Sequence, residues 1–119
     1  MAPSAAWTAG ALVSTVTDLN RFFEGLLTGQ LLTQASLDQM LTLVTTGGPF
    51  DYGLGVAGVV GGPLGEGFGH GGSLPGFRSS AMRYPESDVG VSLLVNCNIA
   101  DSSQQSVLDS LEQVLVDHR

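Results

Sequence analysis

The residues of this chain that could do chemistry are few. They are concentrated in one glycine-rich stretch, Gly69-His-Gly-Gly-Ser-Leu-Pro-Gly76. His70 and Ser73 there combine an imidazole with a hydroxyl, the pairing used in acyl transfer. A nucleophile elbow would read G-x-S-x-G, but around Ser73 the closing glycine is Gly76, one residue late. No strand-to-helix pattern surrounds it either, so Ser73 is a poor candidate nucleophile, although spacing alone leaves a Ser73–His70 pair open. Cys97, the single cysteine, lies in the apolar run Ser92-Leu-Leu-Val-Asn-Cys97 and reads as a small buried side chain rather than a reactive thiol. His70, His118 and Cys97 are far apart in sequence and form no paired-ligand pattern, so no metal site is expected. His118 reads as a solvated side chain near the C-terminus.

Two stretches match G-x-G-x-x-G, Gly53 to Gly58 and Gly67 to Gly72. A dinucleotide fingerprint requires the glycines to join a strand to a helix whose N-terminus faces the pyrophosphate. Neither match is followed by a helical pattern, and a chain with 17 glycines produces such matches by chance. No cofactor is expected.

Composition narrows the partners. The chain has 119 residues, enough for one small domain spanning 1–119. It is 43% apolar and 13% charged, a globular composition. Eleven acidic residues face four basic ones, a formal charge of −7, so neither nucleic acid nor an anionic membrane is an expected partner. No segment is long and apolar enough to span a bilayer, and no signal-peptide pattern is visible. The localisation is left open. All the basic residues are arginines (Arg21, Arg78, Arg83, Arg119), and there is no lysine.

The elements that must position these residues follow from periodicity. Residues 15–44 read as helical. Val16, Leu19, Phe22, Phe23, Leu26 and Leu27 repeat at helical spacing, with Thr15 and Asp18 as a capping box and Gly29 as the stop. A second helix follows the cap candidate Thr33, with Leu37, Met40, Leu41 and Val44 inward. Residues 52–97 read as strands: Tyr52–Val56, Phe68–Gly72, Phe77–Tyr84 and, after the turn Pro85-Glu-Ser-Asp88, Val89–Val95. Asp101 is the expected cap of a last helix over 101–118, with Val107, Leu108, Leu111, Val114 and Leu115 buried. The order predicts an α+β fold with an antiparallel sheet flanked by helices.

Several short blocks, in order, carry a resemblance. Trp7-Thr-Ala-Gly-Ala-Leu-Val-Ser-Thr-Val-Thr-Asp-Leu19 resembles the helix start of class C β-lactamases and related peptidases. Tyr52-Gly-Leu-Gly55 resembles the block that follows it in that family. Gly69-His-Gly-Gly-Ser-Leu-Pro-Gly-Phe77 is similar to the third active-site motif, in which Lys or His and a glycine frame a small residue. Tyr84-Pro-Glu-Ser-Asp-Val-Gly-Val91 and Leu93-Leu-Val-Asn96 resemble the hairpin and strand-ending asparagine that come next.

The resemblance implies part of a β-lactamase/transpeptidase-like fold and acyl transfer through an acyl-serine intermediate. The substrate of such a parent enzyme would be a β-lactam, a D-Ala-D-Ala peptide or an ester. The family's nucleophile and its partner come from Ser-x-x-Lys, followed by Tyr-x-Asn or similar. With no lysine, this chain contains no Ser-x-x-Lys, and neither Tyr52 nor Tyr84 has asparagine two residues on. Both motifs precede these blocks in the family, so they are expected upstream of Met1, as in a truncation rather than a degenerate site.

By resemblance, His70, Gly71 and Gly72 form the third motif, the Ser73 backbone N–H is one of two oxyanion-hole donors, and Asn96 is a substrate-side contact or a turn residue. Gly71 replaces the usual hydroxyl residue, which disfavours a penicillin- or D-Ala-D-Ala-carboxypeptidase specificity and favours an esterase- or amidase-like relative. Asp18 reads as a cap and Tyr52 as a packing residue. The expected function is the C-terminal portion of such a serine hydrolase, inactive alone. The alternatives are a non-catalytic binding or assembly module that self-associates through an exposed sheet edge, and a small esterase using Ser73 and His70 directly.

Overall fold

A computed structural model describes residues 3–97 and 100–118. A 3-10 segment, Pro3–Ala9, is interrupted at Trp7, whose φ is positive. Helices α1 (Val16–Leu27) and α2 (Gln34–Met40) follow. Next come strands β1 (Asp51–Tyr52), β2 (Ala57–Gly62), β3 (Gly65–Leu74), β4 (Phe77–Tyr84) and β5 (Val89–Val95), then helix α3 (Asp101–Asp117). The strands make one antiparallel sheet in chain order, so each connection is a hairpin. The fold is α+β, with a helix on each face of the sheet.

Helix α1 begins and ends as its sequence dictates. The Thr15 hydroxyl accepts from the Asp18 N–H at 3.1 Å and donates to the Asp18 carboxylate at 2.9 Å, satisfying an N–H the helix itself leaves orphaned. At the other end Gly29 takes φ +75, and the Gln30 and Gly29 amides bond back to the carbonyls of Gly25 and Leu26 at 2.9 and 3.3 Å. This is a Schellman closure, open to glycine because it carries no Cβ. Thr33 caps α2 by accepting from the Ser36 N–H at 3.3 Å.

Alternation along β4 and β5 divides the core between the two faces. Met82 pairs with Val91 and Tyr84 with Val89, and these residues meet Leu108 of α3 and Leu64 of the β2–β3 turn in one buried cluster. The residues between them face α1: Ser92 donates to Asn20 at 2.6 Å, and Asn20 lies against Gly90. Tyr84 spans the cluster, and its hydroxyl donates to Glu112 on α3. Burial first, and the Glu112 and Asp109 carboxylates second, push its phenol above the ordinary tyrosine value.

Several expectations are corrected. Tyr52–Val56 is not a strand. Only Tyr52 belongs to one, and 53–56 turn the β1–β2 hairpin, closed by the Gly53 amide on the Val56 carbonyl at 2.8 Å. The following strand, β2, was not anticipated. Val44 lies beyond α2 and is exposed, because its backbone bridges to Tyr52 with N–H···O bonds of 2.9 and 3.0 Å. On α1, Val16 and Phe22 are exposed, and the inward stripe is Leu19, Phe23, Leu26 and Leu27. On α3 the cap is Ala100, one residue before Asp101, and it makes no side-chain bond. There Val107, Leu111 and Val114 are exposed, while Leu108 and Leu115 face the sheet. A single helix face can follow only one of the two apolar rows, and the sheet selects the one through Leu108. Cys97 is exposed, not buried, because β5 ends at Val95 and the chain bends away.

Candidate active site

Strand β3 carries His70 to Ser73, the segment expected to form the third motif, and its glycines let it lie close to its neighbours. A Cβ on Gly69 would collide with the backbone carbonyl of Ala81 on β4, so no side chain is tolerated there. On the opposite side β2 pairs with β3 only as far as Ala57↔Gly69. From His70 to Leu74 the strand pairs with β4 alone, through His70↔Ala81, Gly71↔Ser80, Gly72↔Ser79, Ser73↔Arg78 and Leu74↔Phe77. Among the described residues, the β2-side edge of His70–Leu74 therefore has no partner strand. Free backbone donors and acceptors on such an edge are suited to bind an extended substrate or an oxyanion.

Two open grooves meet on this segment. One, of about 1030 Å³, runs from Phe50 and Tyr52 past His70 to Glu112 on α3. The other, of about 750 Å³, lies between Gly10–Ser14 and the strand ends, and reaches Asn96. Gly72, Ser73, Arg78 and Ser79 line both. The structure thus brings His70, Gly71, Gly72 and Ser73 onto one strand edge and places Asn96 in the bend after β5, in the groove shared with Ser73.

The side chains make specific bonds. Arg78 donates to the Ser73 hydroxyl from across the strand pair. His70 points elsewhere: its Nε2 lies 2.5 Å from the Tyr52 hydroxyl, and its Nδ1 lies 2.5 Å from the Gly71 carbonyl. Ser73 and His70 are therefore each engaged with a different partner and do not form a nucleophile–base pair. Sequence reasoning missed two residues here. The sequence presents Tyr52 as a packing residue and Arg78 only as a cation. The register explains both: Tyr52 opposes Ala57, and Ala57 opposes Gly69, one residue short of His70. Two strand spacings, about 9.6 Å, are within joint reach of a tyrosine and an imidazole. Neither G-x-G-x-x-G stretch opens a helix, since Gly53–Gly58 turns into β2 and Gly67–Gly72 lies within β3. Among the described residues no cluster of three or more His, Cys, Asp or Glu is placed to hold a metal.

A family model described as Beta-lactamase matches residues 1–114. The chain belongs to the beta-lactamase family. Solved structures similar to this beta-lactamase-family chain include a D-stereospecific amidohydrolase from Streptomyces sp., 32% identical with a TM-score of 0.75; the match covers 88% of this chain and 32% of that one. A D-amino acid amidase from Ochrobactrum anthropi SV3, complexed with D-phenylalanine, is 30% identical with a TM-score of 0.75, covering 95% of this chain and 39% of the amidase. The same amidase complexed with L-phenylalanine gives a TM-score of 0.78 at 26% identity, covering 98% and 36%. This beta-lactamase-family chain thus spans between 32% and 39% of the length of these structures.

Proposed function

We propose that the chain forms one wall of the active site of an acyl-serine hydrolase of the amidase type, with the serine nucleophile and its lysine supplied by polypeptide outside these residues. The observation that carries this reading is the β3 edge from His70 to Leu74, without a partner strand among the described residues and flanked by grooves on both sides. On that edge the Ser73 N–H serves as one oxyanion donor, the donor set being completed by the nucleophile's own amide. Asn96 contacts substrate from the β5 end. Gly71, lacking a hydroxyl, fits an amide or ester substrate better than one anchored by a carboxylate. The amidohydrolase and amidase neighbours support the amide side of that choice.

The test is hydrolysis of D-phenylalanine amide, an aryl ester and a chromogenic β-lactam, first by the 119-residue chain alone. No turnover above background is expected. The second arm uses the same chain extended by the reading frame upstream of Met1, where Ser-x-x-Lys and Tyr-x-Asn are expected. Turnover of the amide by the extended chain supports the reading. Turnover by the short chain, abolished in Ser73→Ala, would replace it with the small-esterase alternative.

A second observation favours assembly as well. Strand β5 ends the sheet, pairs only with β4 among the described residues, and carries no charged side chain. We propose that this edge is where the chain associates, with a second copy of itself when it is isolated.

A further inference from the structure

We infer that Tyr52 is a positioning residue for the third motif, its phenol holding His70 in the neutral Nδ1–H tautomer. The assignment follows from what each partner can do. A carbonyl oxygen only accepts, so the nitrogen 2.5 Å from the Gly71 oxygen, Nδ1, carries the proton. A neutral ring protonated at Nδ1 keeps a lone pair at Nε2, and the Tyr52 hydroxyl, 2.5 Å away, donates to it. The two rings also meet edge to face, with centroids 5.6 Å apart and planes at 85°, which restrains the imidazole about its χ angles independently of the hydrogen bond. Tyr52 is itself held in place, since its backbone N–H and C=O both bond to Val44.

The consequence concerns what the site offers to a ligand. With both ring nitrogens engaged, the open positions of the pair are the two acceptor lone pairs of the Tyr52 oxygen. A lysine at position 70 would offer a cation and only donors; Tyr52 and His70 together offer a neutral acceptor. This consequence rests on the hydrolase reading above, whereas the tautomer itself does not.

The experiment is nuclear magnetic resonance on the ¹⁵N-labelled 119-residue chain, correlating ring nitrogens with ring protons at about pH 8, above the ordinary histidine range. His118, exposed after α3, is the internal reference and is expected to show the Nε2–H-rich mixture of a free imidazole. His70 is expected to show a protonated-type Nδ1 and an unprotonated-type Nε2. In Tyr52→Phe, which keeps the ring contact and loses the hydroxyl, the His70 shifts move toward those of His118 while the backbone amide spectrum stays folded. A wild-type His70 that matches His118, or carries its proton on Nε2, overturns the proposal. So does a folded Tyr52→Phe with unchanged His70 shifts. Should Tyr52→Phe fail to fold, the wild-type spectrum decides alone. No step of this test reads hydrolysis, so an inactive chain with the predicted tautomer fails only the functional reading.

Discussion

At the scale of single residues, the chain places polar atoms where a partner is already waiting. Tyr84 is 2% exposed, and its hydroxyl is directed at Glu112 on another element. Burial and the neighbouring carboxylates keep its proton on beyond the ordinary phenol range. Below about pH 10 folded and unfolded chains both hold that proton; above it the unfolded chain releases it first. The unfolded state then binds fewer protons, and stability falls as pH rises. Denaturant titrations from pH 8 to 11 should show this decline, and Tyr84→Phe should flatten it. The same variant should lose about 1–2 kcal/mol at pH 7, the worth of a bond to a partly buried carboxylate. Gly69→Ala is a harsher change. Its methyl would meet the Ala81 carbonyl, a backbone atom fixed by the β3–β4 ladder, so about 3 kcal/mol or outright unfolding is expected by chemical denaturation. Ser73→Ala acts differently, because the proposed oxyanion donor is a backbone N–H. In the extended enzyme it should retain kcat within about tenfold, far short of the 10²–10³ that loss of a donor costs.

At the scale of elements, what could be read from sequence was whatever depends on neighbours along the chain. Thr15, Asp18, Gly29 and Thr33 define helix ends through bonds spanning only a few residues, and each stands where its type suggests. Strands β4 and β5 were legible with their bounds, since alternation and the Pro85–Asp88 turn are local signals. Some misreadings are local, such as the turn at Gly53–Val56 and the cap at Ala100, but the others involve partners distant in sequence. Leu64, in a turn between glycine and proline, is a core residue because α3 and the sheet close over it. Strand β2 has a weak pattern of its own and is specified by the β3 strand it pairs with. Tyr52 meets His70 across two strands, a contact that no spacing along the chain encodes. The sequence singles out the segment His70 to Ser73 as the candidate site, but it does not reveal the bonds its side chains make to Tyr52 and Arg78. The local signals can be tested separately. Thr15→Ala should cost about 1 kcal/mol through the lost cap, and Gly29→Ala about 1–2 kcal/mol through left-handed strain, both read from thermal or denaturant unfolding.

At the scale of the whole molecule, apolar surface decides how the chain behaves in solution. Its net charge of −7 opposes association, while the β5 edge and exposed residues such as Leu94, Val107, Leu111 and Val114 favour it. Repulsion between like-charged surfaces is screened by salt over about 8–10 Å, whereas strand pairing is short-ranged and largely unaffected. The two contributions therefore separate with ionic strength. If β5 pairs with a second copy, sedimentation should show the dimer fraction rising from low to moderate salt. Leu94→Lys should reverse this, because a charge on an edge strand makes pairing with an identical edge bring like charges together. Association that ignores Leu94→Lys but is lost in Val107→Lys would move the contact from the sheet edge to α3. A monomer under all these conditions would remove self-association from the proposal. The β3 edge beside His70 and Ser73, which has no partner strand among the described residues, would keep its proposed partner, the substrate, whatever the state of the β5 edge.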